Sequence, residues 1–373
     1  MVGPLEGMRV LVLAGMGPVP YVSMLLADMG AEVVRVVRPA NRSARRLTQT
    51  EGLTEDLDVV NRGITAVAVD LKDAEGRASV LDLAANADVF IEGYRPGVAE
   101  RLGLGPQELT ARNARLVYVR LTGYGQTGPR SQDAGHDINY VAQSGALHAM
   151  ARKGEAPRPP INLLGDYAAG GALGAFGITS ALVSAARTGK GQVVDVAMAD
   201  GVAVLTAKLQ GLRAAGLFSD EAGTNFLDSG APFYETYRCA DGRYLAVGAI
   251  EADFYREFIS RLGVDVSDWP AQSDQSQWPR LRALIADVIT RKTRGEWESV
   301  YAGTDACVTP VLSFDEAARD PHNSARVMYQ VVGGVLHPAP APRFSGTPAR
   351  VPSVPSTGTS PIEDIAAAWV PGN

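Results

Sequence analysis

A histidine and an aspartate, His136 and Asp166, stand thirty positions apart in the segment GHDINYVAQSGALHAMARKGEAPRPPINLLGDYAAGG, which runs from Gly135 to Gly171. Each has a glycine beside it. Asp166 is also the last ionisable group before twenty uncharged residues, Tyr167 to Ala186. A run of that length reads as an apolar helix, which puts Asp166 at its N-cap or in its first turn. A carboxylate there lies in the positive end of the helix dipole, close to backbone N–H groups that could hold an oxyanion. A base, an acid and an oxyanion site in one segment suit proton transfer at a carbon next to a carbonyl. On residue chemistry alone, a plain helix cap and a packed structural histidine are the commoner roles for such residues.

The surrounding elements read as alternating strands and helices. Strands are expected at 8–13, 32–37, 66–70, 88–91 and 115–121, with helices at 21–29, 74–85 and 107–112 between them. That order implies an α/β fold with a doubly wound parallel sheet covered on both faces. Such sheets bind ligands at the carboxyl ends of their strands. Those ends carry Gly15 and Gly17, Arg38, Asp70-Leu71-Lys72, Gly93-Tyr94-Arg95 and Gly123-Tyr124-Gly125. The turn GMGPVP supplies only two glycines of a dinucleotide fingerprint. The second strand ends in Arg38, where an acidic residue would hold a ribose hydroxyl. Arginine suits a phosphate, so NADP and the 3′-phospho-ADP of coenzyme A both fit. A further basic cluster, Arg42, Arg45 and Arg46, could equally be plain surface.

Beyond the apolar helix, a short strand at 193–196 and one connecting helix at 200–215 are expected. A smaller α+β region follows. It opens with a strand, DG turn, strand hairpin around Asp241-Gly242 and continues with helices at 252–262, 278–290 and 294–302 and a strand at 306–312. From Pro338 the chain is rich in proline and small residues, which suggests an extended tail, with a last helix at 362–369. The expected division is a large domain 1–198, a connector 199–227, a small domain 228–325 and a C-terminal segment 326–373.

Composition narrows the classes. A net charge of −6 speaks against a nucleic-acid-binding protein. Two cysteines, Cys239 and Cys307, make neither a disulfide framework nor a cysteine metal site. The four histidines show no metal-ligand spacing, so no metal is expected. The apolar run 167–186 is long enough to span a membrane. It is Gly/Ala-rich and stands alone in mid-chain, which suits a helix packed tightly in a soluble protein. No basic segment precedes an apolar core at the N-terminus, and the expected location is cytoplasmic.

The motifs GHDINY and NLLGDYAAGG, with GYGQTGPR upstream and GAPFYETY downstream, resemble those of the α-methylacyl-CoA racemases in the family III CoA-transferase (CaiB/BaiF-type) superfamily. The resemblance runs from LEGMRVLVLA to APRFSGT. It implies an isomerase that interconverts (R)- and (S)-2-methylacyl-CoA thioesters through an enolate, with His136 acting on the S face and Asp166 on the R face. It also implies that Glu251 stands near His136. Carried over position by position, Arg38, Val69, Asp70, Leu71, Lys72, Gly93, Tyr94, Arg95 and Arg101 line a coenzyme A site, together with the backbone of Gly135, His136, Asp137, Ile138, Asn139 and Tyr140. Coenzyme A is then part of the substrate and no cofactor is needed. The resemblance further implies an interlocked homodimer. The alternatives are a CoA transferase with Asp166 as nucleophile, an NADP-dependent reductase, and a non-catalytic acyl-CoA-binding protein.

Overall fold

The computed structural model describes residues 3–13, 15–39, 54, 57–349, 354 and 358–370. The cluster Arg42, Arg45 and Arg46 lies outside them. The described chain divides into two compact units. The first comprises residues 1–144, 160–205 and 322–373, and the second residues 145–159 and 206–321.

The first unit is built on a six-stranded parallel sheet. In chain order its elements are β1 (Arg9–Leu13), α1 (Pro18–Asp28), β2 (Glu32–Val37), β3 (Ile64–Ala68), α2 (Ala74–Ala84), β4 (Val89–Glu92), α3 (Val98–Arg101), α4 (Pro106–Arg112), β5 (Val117–Thr122), α5 (Asp137–Gln143), the long helix α6 (starting as a π-helix at Leu163–Ala172 and continuing as an α-helix at Leu173–Thr188), β6 (Val193–Ala197) and α7 (Met198–Leu205). The strand order is β3-β2-β1-β4-β5-β6, and all pairings are parallel. The order reverses between β1 and β4, the crevice where doubly wound sheets bind ligands.

The sheet is a true interior layer. β4 and β5 are buried along their whole length, as continuous apolar runs require when both faces are covered. One face packs Val10, Val12, Val89 and Val119 under α1 and α6; the other packs Leu11, Leu13, Phe90 and Tyr118 beneath α2 and the C-terminal helix Ile362–Trp369. β5 nonetheless contains Arg120. Its guanidinium meets Glu92 on the adjacent strand at 3.0 Å and Glu100 on α3 at 2.8 Å, the pairing that a cation in such a layer needs. After residue 322 the chain contributes an antiparallel hairpin, Tyr329–Val332 with Val335–Pro338, and the C-terminal helix to this unit.

The second unit contains α8 (Ala207–Ala214), then β7 (Tyr234–Arg238), β8 (Tyr244–Gly248), α9 (Ala252–Ser260), α10 (Trp278–Ile289), α11 (Arg294–Tyr301), β9 (Val308–Pro310) and α12 (Phe314–Arg319). Its sheet is antiparallel in the order β7-β8-β9. Its core is aromatic, with Phe233, Phe258, Trp278 and Trp297 buried together.

Two expectations change. The single connecting helix at 200–215 is two helices, α7 and α8, interrupted at Thr206, a β-branched residue that holds a helix less well than its neighbours. The strand expected at 306–312 keeps only three residues. Cys307 takes a positive φ of 52° just before it.

Candidate active site

The two chemical side chains reach one place from separate elements. His136 is the N-cap residue of α5, with extended backbone, and its own N–H donates to Asn139 Oδ1 at 3.0 Å. That bond ties the start of α5 to the histidine and leaves its side chain exposed. Asp166 lies in the first turn of α6, whose cap residue is Asn162. The N-cap alternative for Asp166 therefore falls away, because the helix begins at Leu163, four residues before its uncharged run starts at Tyr167. A π-turn widens this start, a feature that recurs at functional sites.

Both residues line a pocket of about 490 Å3 over the carboxyl ends of β1, β4 and β5, within the usual range for small-molecule sites. The loop after β1 contributes Met16, Gly17 and Pro18. The turn after β4 contributes Gly93, Tyr94 and Arg95, and the turn after β5 Gly123 and Tyr124. Gly135, Asn139 and Tyr140 complete the side bearing His136, and Met198 closes the floor. Gly17 is held at φ 61°, and a methyl group on it would sit 2.9 Å from Asp166 Oδ2. Only glycine suits both the conformation and the space.

Neighbouring groups fix these walls. Glu92, wholly buried, accepts the N–H of Tyr94 at 2.7 Å, so the β4 turn is braced from beneath by the same carboxylate that pairs with Arg120. Tyr140 donates its hydroxyl to the carbonyl of Gly135 at 2.5 Å and stacks edge-on against Tyr124. The Tyr140 phenol is pushed up to about 12, first by burial and then by the negative groups around it, Asp166 among them. It therefore stays neutral and acts as structure.

Asp137, the residue after His136, is 4% exposed, and its Oδ2 accepts the backbone N–H of Asp166 at 2.7 Å. The N–H of Asp166 itself is thereby committed and cannot serve as an oxyanion donor, which narrows the expectation that N–H groups around Asp166 play that part. Partial burial lifts the Asp166 carboxyl above its ordinary range, and the Asp137 charge adds to the lift. A hydrogen bond from Asn162 and the nearby His136 act the other way but do not cancel it. A carboxyl group that keeps its proton more readily than usual can act as a donor beside a histidine base.

The other expected residues lie as follows. Arg38 is exposed just past β2, close enough to Tyr94 for its charge to act on the phenol. Val69 is buried after β3. Asp70 accepts the N–H of Lys72 at 3.0 Å, and Arg77 donates to the carbonyls of Leu71 and Lys72. Arg101 ends α3, and Ile138 is an exposed residue of α5. None of these residues lines the pocket that holds His136 and Asp166, nor does Asp137, which acts on it from behind. Glu251 belongs to the second unit, where it is the N-cap residue of α9.

Sequence reasoning missed Asn162, Glu92, Met16 and Met198. The spacing of Asn162 four residues before Asp166 was a readable helical signal. The two methionines carry no chemical signal beyond their places after strand ends. Among the described residues, no group of three or more His, Cys, Asp or Glu side chains could hold a metal ion.

The family model for CoA-transferase family III matches residues 5–360. The chain belongs to CoA-transferase family III. Within this family it is 44% identical over 363 residues to the α-methylacyl-CoA racemase of Mus musculus, covering 96% of this chain and 92% of the mouse protein. It is also 44% identical over 350 residues to the α-methylacyl-CoA racemase of Homo sapiens, covering 94% and 88% respectively. The crystal structure of a CAIB/BAIF family protein from Brucella suis superposes with a TM-score of 0.84 at 26% identity, covering 99% of this chain and all of that one. The family fold accounts for the parallel sheet and its helices.

Proposed function

We propose that this chain is an α-methylacyl-CoA racemase, which inverts the configuration at the α-carbon of 2-methylacyl-CoA thioesters. The observation that carries the proposal is the pair itself. His136 and Asp166 come from the starts of two different helices and line one pocket at the switch point of the sheet. The 44% identity to two racemases over nearly the whole chain supports the same reading.

In this mechanism His136 removes the α-proton of the S epimer, and the thioester carbonyl becomes an enolate. Asp166 then delivers a proton to the opposite face, giving the R epimer. The reverse direction runs with the roles exchanged. Stabilising the enolate calls for donors aimed at its oxygen. The first turn of α5 borders the pocket. The Asn139 N–H there turns back to the His136 carbonyl at 2.8 Å, which leaves the N–H groups of Asp137 and Ile138, ahead of the first helical bond, as the donors we assign to the enolate oxygen. The raised proton affinity of Asp166 suits it to hold a proton while His136 is neutral.

Coenzyme A enters as part of the substrate, and no separate cofactor is invoked. Arg38 serves as a contact for the 3′-phosphate, and Tyr94 and Arg95 border the pantetheine path. The protein works as a homodimer in the cytoplasm. The helix Leu163–Thr188 is long and apolar enough to cross a membrane. We read it as a core helix instead, because Gly165, Gly170, Gly171, Gly174, Ile178 and Ala181 bury one side of it within the first unit.

The deciding experiment is incubation of the protein with a single epimer of a 2-methylacyl-CoA in D2O, with the α-carbon followed by NMR. The expected outcome is epimerisation with deuterium at the α-carbon and no need for an acceptor acid. Transfer of CoA to an added carboxylate with no α-deuterium would reassign the protein to the transferase chemistry of its family, with Asp166 as nucleophile.

A further inference from the structure

Behind the proton-transfer pair lies a second carboxylate to which the mechanism gives no part. Asp137 is 4% exposed and is not among the residues that line the substrate pocket. Its Oδ2 takes the N–H of Asp166 at 2.7 Å, and its Oδ1 is buried without a hydrogen-bond partner. The approach is possible because residue 165 is glycine. A methyl group there would stand 2.8 Å from Asp137 Oδ2 and 3.2 Å from its carbonyl oxygen. The first turns of α5 and α6 are therefore locked together through one short bond, made by the residue next to His136 to the residue that bears the second catalytic group.

Burying a carboxylate with one oxygen unpaired is costly, and a neutral asparagine could accept the same N–H bond. What asparagine could not supply is charge. The ionisable groups that face Asp166 are Asp137 and His136 from α5 and its cap, and Tyr140 one turn further on. The phenol is neutral and its hydroxyl is engaged by Gly135. The N-cap of α1 brings the backbone of Gly17 beside the carboxylate, with the uncharged Pro18 and Val19 after it, and Asn162 supplies an uncharged donor at 3.5 Å. Among the described residues, Asp137 is the acidic group that opposes ionisation of Asp166 from a buried, fixed position; Asp133 lines the same pocket from an exposed loop.

We infer that Asp137 is a positioning residue for the racemisation: its buried carboxylate clamps the backbone at Asp166 and holds a fixed negative charge beside the second catalytic group. The inference deepens the racemase reading and rests on it for its catalytic meaning. In such an enzyme the His136–Asp166 pair shares one proton in each direction, and the acid limb of the rate profile marks uptake of a second. Like charges held side by side shift a carboxyl by a unit or more. Removing the Asp137 charge lowers the proton affinity of Asp166, so that limb moves to lower pH.

The test is Asp137→Asn, which keeps shape and acceptor oxygen while deleting the charge. The Asp166 carboxyl is followed directly by 13C NMR in aspartate-labelled protein, with Asp166→Asn to identify its signal. The titration midpoint of Asp166 is expected to fall by roughly one pH unit in Asp137→Asn. The acid limb of kcat/KM should fall with it, equally for both epimers, since their ratio is fixed by the solution equilibrium. An unchanged or raised midpoint overturns the inference. Should Asp137→Asn fail to fold, Asp137→Ser decides the matter, because its short hydroxyl also deletes the charge and the midpoint must fall in the same way. The NMR titration needs no turnover. A protein that shifts its Asp166 midpoint as expected but epimerises no acyl-CoA would leave the Asp137 inference standing and sink the racemase reading alone.

Discussion

At the scale of single residues, His136 and Asp166 differ in how they are held. His136 is exposed at a helix cap and fixed through its backbone, whereas Asp166 is half-buried and fixed from behind by Asp137. Two bases on opposite faces of one carbon need not be equally costly to lose. In D2O, His136→Ala should lose α-deuteration of the S epimer first, and Asp166→Asn that of the R epimer. Each loss should be on the order of 10²–10⁴-fold, as expected for one general acid–base group. A His136→Ala variant as active as the wild type would demote the histidine to structure. Asp166→Asn carries a second expectation. A carboxyl whose proton affinity is raised by folding favours the folded state at low pH, and that contribution is lost as pH rises through its raised folded value. Asparagine cannot ionise, so the melting temperature of the variant should gain on the wild type as pH is raised from 4 to 7. Parallel melting curves across that range would contradict the burial argument.

At the scale of elements, the alternating strands were legible because each is a short β-branched run flanked by turn residues. The strand at Glu32–Val37 and the last helix at Ile362–Trp369 fall where the pattern places them. The pair His136 and Asp166 was legible too, from flanking glycines and from the charge-free run that follows. α5 was not, since its seven residues offer only Ile138, Tyr140, Val141 and the small Ala142 as an apolar signal. The hairpin 329–338 was also missed, although its Val-Val-Gly-Gly-Val is a readable turn signature; the proline-rich stretch beyond it dominated the pattern. Close approach of backbones is invisible in sequence altogether. That is why Gly17 stood out only as part of a weak fingerprint, while its structural part is to leave room for Asp166 Oδ2. The carboxylate is the movable partner in that contact, so Gly17→Ala should push it aside. Misplacing a reacting group by about 1 Å costs on the order of 10²-fold in rate, whereas the positive φ costs roughly 1 kcal/mol of stability. A variant that folds, binds acyl-CoA with little change in KM and loses kcat is the expected result. Full activity would show that the loop after β1 does not shape the site.

At the scale of the whole molecule, the question is what covers the outer side of α6. Its inner side is small and buried: Gly174, Ile178, Ala181 and Ala185 lie against the sheet layer. Its outer side at helical spacing is Ala172, Phe176, Ser180 and Val183, with Phe176 70% and Val183 59% exposed. Single exposed apolar side chains are ordinary on soluble proteins. A stripe along one helix, with no charge between Tyr167 and Ala186, is a different matter, because contiguous apolar surface marks a contact site. A second copy of the chain is the simplest occupant, since closed two-fold pairing buries the same stripe on both partners. Light scattering at micromolar concentration should therefore give twice the chain mass of 39.3 kDa. Phe176→Asp should shift the protein towards the monomer and lower its melting temperature in a concentration-dependent manner, since association stabilises the folded chain by mass action. A wild-type monomer with full activity would refute the homodimer. A Phe176→Asp variant that remains a dimer would place the interface away from α6.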